Sequence, residues 1–312
     1  TTPLTPNPPL KPNPPLTPRR AIDLFETKLR ADGRSPHTVA SYLRDLGQLE
    51  RFIADRLHCP LVSGVTPDIL NEFLVSQPVT RMSDGSLKSE GTVNKVKTSV
   101  KSFFNWLVAA GHVPSNPAAG IRLRHIHRPA PETLTDVEKK RLLKTISNTR
   151  GKKAFRDFAI VSLFLNTGIR VSELVGLDID DVNLPERRIT IRVKGGHTAM
   201  RFLNARARRA LDPYLKSRRK MPVETRALFV SNQERRVSVR QVQRSFEEWL
   251  ASAGIEKHIT VHGLRHTFAT SLLERTGNLA LVQQSLGHRH ISTTTIYAHV
   301  PSEELQQAME TI

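Results

Sequence analysis

Between residues 153 and 166 the chain reads KAFRDFAIVSLFLN. Phe155, Phe158, Ile160, Val161, Leu163, Phe164 and Leu165 cover most of a helical surface instead of lining one stripe. A helix of that kind cannot lie on the outside of a domain, so other elements must pack around it. Thr167-Gly168 supplies a stop signal, and Ile169-Arg170-Val-Ser-Glu173-Leu begins the next helix. Arg170 therefore sits on a rigid turn beside an apolar helix, a costly place for a cation without a ligand such as phosphate. Glu173, three residues on, is placed to hold a neighbouring cationic side chain.

Thr135 with Glu138 forms a capping box that opens this part of the chain. Residues 188–193 and 199–203 read as strands joined at Lys194-Gly195-Gly196-His197, which puts Lys194 at a hairpin tip. Asn204 caps a very basic helix, and residues 228–230 read as a short strand. Ser238 and Gln241 cap a helix that turns Val239, Val242, Phe246, Leu250 and Ala253 inward. Arg240 and Arg244 lie on its other side, where they are open to an anionic partner. Residues 259–299 then carry His262 and Arg265 on one helical face, over a stripe of Leu264, Phe268 and Leu272. A shorter helix ends at Leu286-Gly287, His288 follows at once, and Tyr297 lies nine residues on. Fixed Arg and His donors facing a tyrosine suit a phosphate centre attacked by the phenol.

Before residue 115 the pattern is simpler. Thr17-Pro18, Ser35-Pro36 and Thr66-Pro67 each place a hydroxyl cap before a proline at the first helical position. A loop is expected over 77–91, then a fourth helix striped by Val93, Val96, Val100, Phe103 or Phe104, and Leu107. Four such stripes satisfy one another as a helical bundle. Lys88, Lys95, Lys97 and Lys101 gather on or near its last helix. Residues 1–17 form a Pro-rich, flexible lead. Residues 116–131, with Arg122, Arg124, His125, His127 and Arg128, read as a basic interdomain linker suited to track a polyanion.

Lys and Arg total 47 against 29 acids, a net charge of +18, which points to a polyanionic partner. No apolar run approaches the roughly 20 residues of a membrane span, and the N-terminal stretch lacks a secretory apolar core. Cys59, the single cysteine, excludes an internal disulfide and a thiolate zinc site. His262 and His266 are spaced like zinc ligands, but no His-Glu-x-x-His string accompanies them and adjacent arginines repel a cation. Neither a metal nor another cofactor is expected.

His262-Gly-Leu-Arg265-His266, Leu286-Gly287-His288 and Tyr297 together resemble the catalytic box of the tyrosine recombinases, the phage-integrase and Xer family. Thr167-Gly168-x-Arg170-x-Ser-Glu173-Leu independently resembles the first catalytic box of that family. The resemblance implies an all-α, SAM-like core-binding bundle over 18–115. It also implies a mixed α+β, mainly helical catalytic domain over 132–312. The implied catalytic set is Tyr297 as nucleophile, Arg170, Arg265 and His288 on the phosphate, His262 as base and Lys194 as acid, with Glu173 in support. The implied partners are double-stranded DNA with paired core sites and further copies of the chain, which assemble as a tetramer on DNA. Leu305, Met309 and Ile312 would make the contact between protomers, and a second recombinase or accessory protein is compatible with this scheme. A cytoplasmic, nucleoid-associated location follows from the same family. A type IB topoisomerase-like strand transferase and a catalytically idle DNA-binding protein are the competing readings.

Overall fold

The computed structural model describes residues 15–57, 60–126, 131–193, 196–286 and 307–311, and the chain divides into two compact units, Thr1–Arg128 and Pro129–Ile312. In the first unit, α1 (Pro18–Ala31), α2 (Pro36–Arg56) and α3 (Pro67–Val75) begin at their prolines. The hydroxyls of Thr17, Ser35 and Thr66 accept N–H bonds from Arg20, Thr38 and Ile69 at 3.3, 3.2 and 3.3 Å. Each such cap contributes about 1 kcal/mol. Part of the segment expected as a loop is helical: Gln77–Thr80 forms α4, held because Val79 is fully buried. A turn closed by the single bridge Arg81–Leu87 follows, and then α5 (Glu90–Ala109).

Phe25, Leu46, Leu49, Phe73, Val100, Phe104 and Leu107 make the centre of the bundle. The Ser99 hydroxyl donates to buried Asp45 at 2.8 Å and joins α5 to α2. The bundle does not stop at residue 115. Ala118 and Ile121 are buried in its core, and the Asn116 side chain accepts the Ala118 N–H at 2.8 Å. The first part of the segment expected as a linker is therefore bundle structure, because its few apolar residues find a place in the core.

The second unit is arranged around α7 (Lys152–Thr167), in which every residue from Ala159 to Thr167 is buried. It is covered by α6 (Asp136–Asn148), α9 (Ala205–Arg219), α10 (Val239–Ser252) and α11 (Val261–Thr276). The capping box of α6 is complete, with the Glu138 N–H to Thr135 at 3.2 Å and the Thr135 N–H to Glu138 at 2.7 Å. Buried polar groups on α7 are paired: Trp249 donates to Asp157 at 2.9 Å, and Arg156 donates to the Val230 carbonyl at 3.0 Å. Beyond the short α8 (Val171–Val175) lies an antiparallel sheet of β1 (Val182–Asn183), β2 (Arg188–Arg192) and β3 (Thr198–Phe202), in that order. Arg192 pairs with Thr198 in the last rung of the β2–β3 ladder before the connecting residues.

Residues 228–230 are not a strand. Ala227 and Val230 make only isolated bridges, to Asp178 and Arg236, because neither neighbouring segment stays alongside for more than a residue or two. The α12 helix (Leu279–Leu286) starts where the Asn278 side chain accepts the Ala280 N–H at 2.9 Å. With α11 it builds a second apolar cluster of Phe268, Leu272, Leu281, Val282 and Leu286, completed by Ala308 and Met309.

One residue couples α7 to that cluster. Gly168 ends α7 with φ of 59°, and a Cβ there would lie 2.4 Å from the Phe268 ring and 3.0 Å from Leu286. Left-handed backbone and close approach both demand glycine. Gly168→Ala is expected to cost about 2–4 kcal/mol, the sum of backbone strain and overpacking. Urea titration of both proteins measures it, and an unchanged midpoint would contradict the close packing.

Candidate active site

The turn after α7 places Arg170 as the residue that precedes α8. Glu173, buried in the first turn, accepts the Arg170 backbone N–H at 2.9 Å and the Arg170 guanidinium at 2.6 Å. The acid thus caps the helix and fixes the arginine with one side chain. The Arg170 side chain remains 40% exposed, so much of its donor edge is open to a ligand.

Arg265 lies in the middle of α11 and is 4% exposed. Its Nη1 donates to the Gly168 carbonyl at 2.6 Å and its Nη2 to the Leu286 carbonyl at 2.7 Å. It therefore ties the α7–α8 turn and the end of α12 to α11. Burial, then the neighbouring Arg170, push its pKa down to about 10, with Glu173 opposing and Arg201 adding. It is still cationic at neutral pH.

His262 sits one turn earlier, edge-on to His266 with ring centroids 5.0 Å apart. Partial burial, followed by His266, Arg265 and Arg170, holds its imidazole below the usual histidine value. Its outer edge stays open to solvent. A neutral imidazole beside two guanidinium groups can accept a proton from a group that approaches an anion bound there.

Arg170, Glu173, His262 and Arg265 are thus brought to one place. Lys194, His288 and Tyr297 lie outside the described residues. The chain on either side of Lys194 is placed by Arg192 and Thr198, and the approach to His288 by Leu286. The residue that the sequence reading missed is Arg201, buried on β3, which donates to the Leu286 carbonyl at 3.1 Å. Burial pulls its pKa below the ordinary arginine value, Glu173 opposes this, and Arg170 adds to it. The available signal was an arginine on the inward side of an alternating strand.

The other basic candidates divide by what their donors touch. Lys97 and Lys101 bond the carbonyls of Arg122 and Ile121 at 3.1 and 2.7 Å, and Lys88 bonds that of Pro78. Asn94 exchanges bonds of 2.8 and 3.1 Å with the backbone of Arg124, whose side chain pairs with Glu90 at 2.7 Å. These contacts fasten residues 121–124 along α5. Lys95, Arg122 and Arg240 are exposed, Arg244 leans on Glu248 at 3.2 Å, and Arg128 lies outside the described residues.

Of the three residues expected at a protomer contact, Leu305 and Ile312 also lie outside them. Met309 is buried against its own domain. Around it Asn204 donates to the Met309 carbonyl at 3.1 Å, Ala205 N–H to Glu310 at 3.2 Å, and Arg187 pairs with Glu310.

Comparison with known proteins places this geometry. Residues 132–304 match the model of the phage integrase family, and residues 22–111 match the phage integrase N-terminal SAM-like domain. Tyrosine recombinase XerC of Serratia marcescens is 34% identical over 289 residues, 92% of each chain. That of Thermodesulfovibrio yellowstonii is 34% identical over 279 residues, 88% of this chain and 89% of the relative. The fold is shared with the XerH site-specific recombinase in a post-cleavage complex with its palindromic difH substrate. That match has a TM-score of 0.67 and 21% identity over 94% of this chain and 84% of the other. A lambda integrase dimer bound to a core site gives 0.67 and 17% over 91% and 99%. The chain belongs to the phage integrase family of tyrosine recombinases and is of the Xer type.

Proposed function

We propose that this chain is a site-specific DNA recombinase that cuts and rejoins duplex DNA through a 3′-phosphotyrosyl intermediate and a Holliday junction, without metal or ATP. The observation that carries the reading is the convergence of Arg170, from the turn before α8, with Arg265 and a neutral His262 on one face of α11. Two guanidinium groups can stabilise the equatorial oxygens of a phosphate under attack, and His288 would add a further donor. His262 would take the phenolic proton of Tyr297 as its oxygen bonds to phosphorus. Lys194 would protonate the departing 5′ oxygen. Religation reverses these transfers when a 5′-OH of a second duplex attacks the phosphotyrosine.

The net charge of +18 and the exposed Lys95, Arg122, Arg240 and half-open Arg170 support double-stranded DNA as the partner. Lys88, Lys97, Lys101, Arg124, Arg128 and Arg244 are proposed to meet the same backbone, some of them through segments they hold in place. The XerH and lambda integrase complexes make DNA a natural ligand for this fold. Paired core sites and a tetramer of four chains complete the proposal. Leu305, Met309 and Ile312 would leave their own domain for a neighbour's in that assembly.

The nucleophile is tested directly. Tyr297→Phe is expected to bind site DNA as wild type does and to give no covalent adduct on a nicked suicide substrate. An undiminished adduct on a denaturing gel would remove Tyr297 from its role. Recombinant products from paired sites separate the proposal from topoisomerase-like relaxation, which yields none.

The pH dependence follows from His262. Its depressed pKa keeps the ring neutral until pH falls below the ordinary value of 6.5, so cleavage should hold through neutrality and fall only below that point. Single-turnover adduct rates between pH 5 and 8 check this. A decline whose midpoint lies above 6.5 would assign the limb to another group.

Deleting residues 302–312 should spare binding to a single site and sharply reduce assembly on paired sites. Light-scattering mass on the same DNA is the measurement. Full tetramer formation by the shortened chain would leave the segment with its intramolecular packing alone.

A further inference from the structure

We infer that Arg201 is a positioning residue for strand cleavage, which clamps the end of α12 ahead of His288 to the strand that follows Lys194. The inference rests on the recombinase reading and adds a residue to it. Arg201 occupies the buried slot of β3, between Met200, which is exposed, and half-buried Phe202. An apolar side chain would fill that slot at lower cost, because a buried cation without an ion pair pays a large desolvation penalty. Its Nε has no acceptor among the described residues, so the guanidinium is not held for full satisfaction of its own donors. What it does hold is specific. Its Nη2 donates to the Leu286 carbonyl at 3.1 Å, the oxygen that also receives Arg265 Nη2 at 2.7 Å, and its Nη1 reaches the Met200 carbonyl at 3.2 Å.

Leu286 is the last residue of α12, where carbonyls lack helical partners and carry the negative end of the helix dipole. Two guanidinium groups on that one oxygen hold Leu286, two residues before His288 in sequence. One of them belongs to the phosphate-binding set, and the other to the hairpin that carries Lys194. Both terminal nitrogens of Arg201 bond main-chain carbonyls, and its Nε is buried. Its effect must therefore pass through the groups it places. A purely space-filling role would be met equally well by methionine, which has similar length and no donors.

The test compares wild type with Arg201→Met in site-DNA gel shifts, thermal melting and single-turnover adduct formation. Arg201→Met is expected to bind DNA within about twofold of wild type and to form adduct about 10–100-fold more slowly, the range for loss of a charged hydrogen bond. In a His288→Ala background the same change should slow cleavage by no more than about threefold, because the group being positioned is already gone. Wild-type adduct rates in Arg201→Met, or an equal loss with and without His288, would overturn the inference. If Arg201→Met fails to melt cooperatively, Arg201→Gln, which keeps an amide donor, is judged by the same two criteria. A wild-type protein that forms no adduct would defeat the recombinase reading itself, an outcome distinct from either.

Discussion

The second unit depends on one buried guanidinium. Arg265 bonds the carbonyl that ends α7 and the carbonyl that ends α12, so three helices meet on a single side chain. Charge-assisted bonds contribute about 1.5–3 kcal/mol each, while removing a cation from water costs several kcal/mol. The two nearly cancel, so the arrangement gives little net stability. What it does give is position: the turn that carries Arg170 cannot move independently of the helix that carries His262. The Arg265 pKa, lowered to about 10 first by burial and then by Arg170, reflects the unfavourable side of that balance.

The end of the chain bears on the same cluster. Met309 belongs to the same apolar cluster as Phe268 and Leu286, the two side chains that crowd Gly168. A continuous path of contacts thus runs from residues 307–311 to the carbonyl that receives Arg265. Asn204 strengthens it by donating to both Asn166 on α7, at 2.9 Å, and the Met309 carbonyl, at 3.1 Å. If this segment leaves, an apolar surface formed by α11 and α12 loses its cover, and Asn204 loses one of its acceptors. That cost is removed only if an equivalent segment takes the place. The simplest source is a second copy, because it offers the same apolar side chains and carbonyl in the same order. The groove that residues 307–311 fill in the single chain is thus the one that the proposed exchange would use in an assembly.

Elements with strong local signals were legible in the sequence. The Thr-Pro and Ser-Pro openings gave three helix starts, and the all-apolar composition of 153–166 marked the central helix, because capping and burial are local properties of the chain. The Arg170–Glu173 pair was legible as an i,i+3 spacing. Arg265 was legible as a candidate site residue but not as the link between α7 and α12, since its acceptors are carbonyls and any residue has one. Arg201 was missed for the same reason. The strand expected at 228–230 failed because β-rich composition cannot show whether a partner runs alongside. The bundle's extension to Ile121 was hidden by prolines that mark a turn as readily as a linker.

Net charge was the least local of the signals, and the structure divides it. Lys97 and Lys101 aim donors at main-chain oxygens of residues 121–122, and Arg124 is paired with Glu90. A lysine that bonds a neutral carbonyl keeps its full charge, so it still raises the potential over that face even though its geometry is already committed. Contacts that require a free, reaching side chain fall instead to Lys95 and Arg122, both exposed. The basic segment at 121–124 is consequently presented on a fixed backbone along α5. Under the proposed DNA binding, its charges would meet the polyanion already arranged, which lowers the ordering cost that a floppy basic linker would carry into binding.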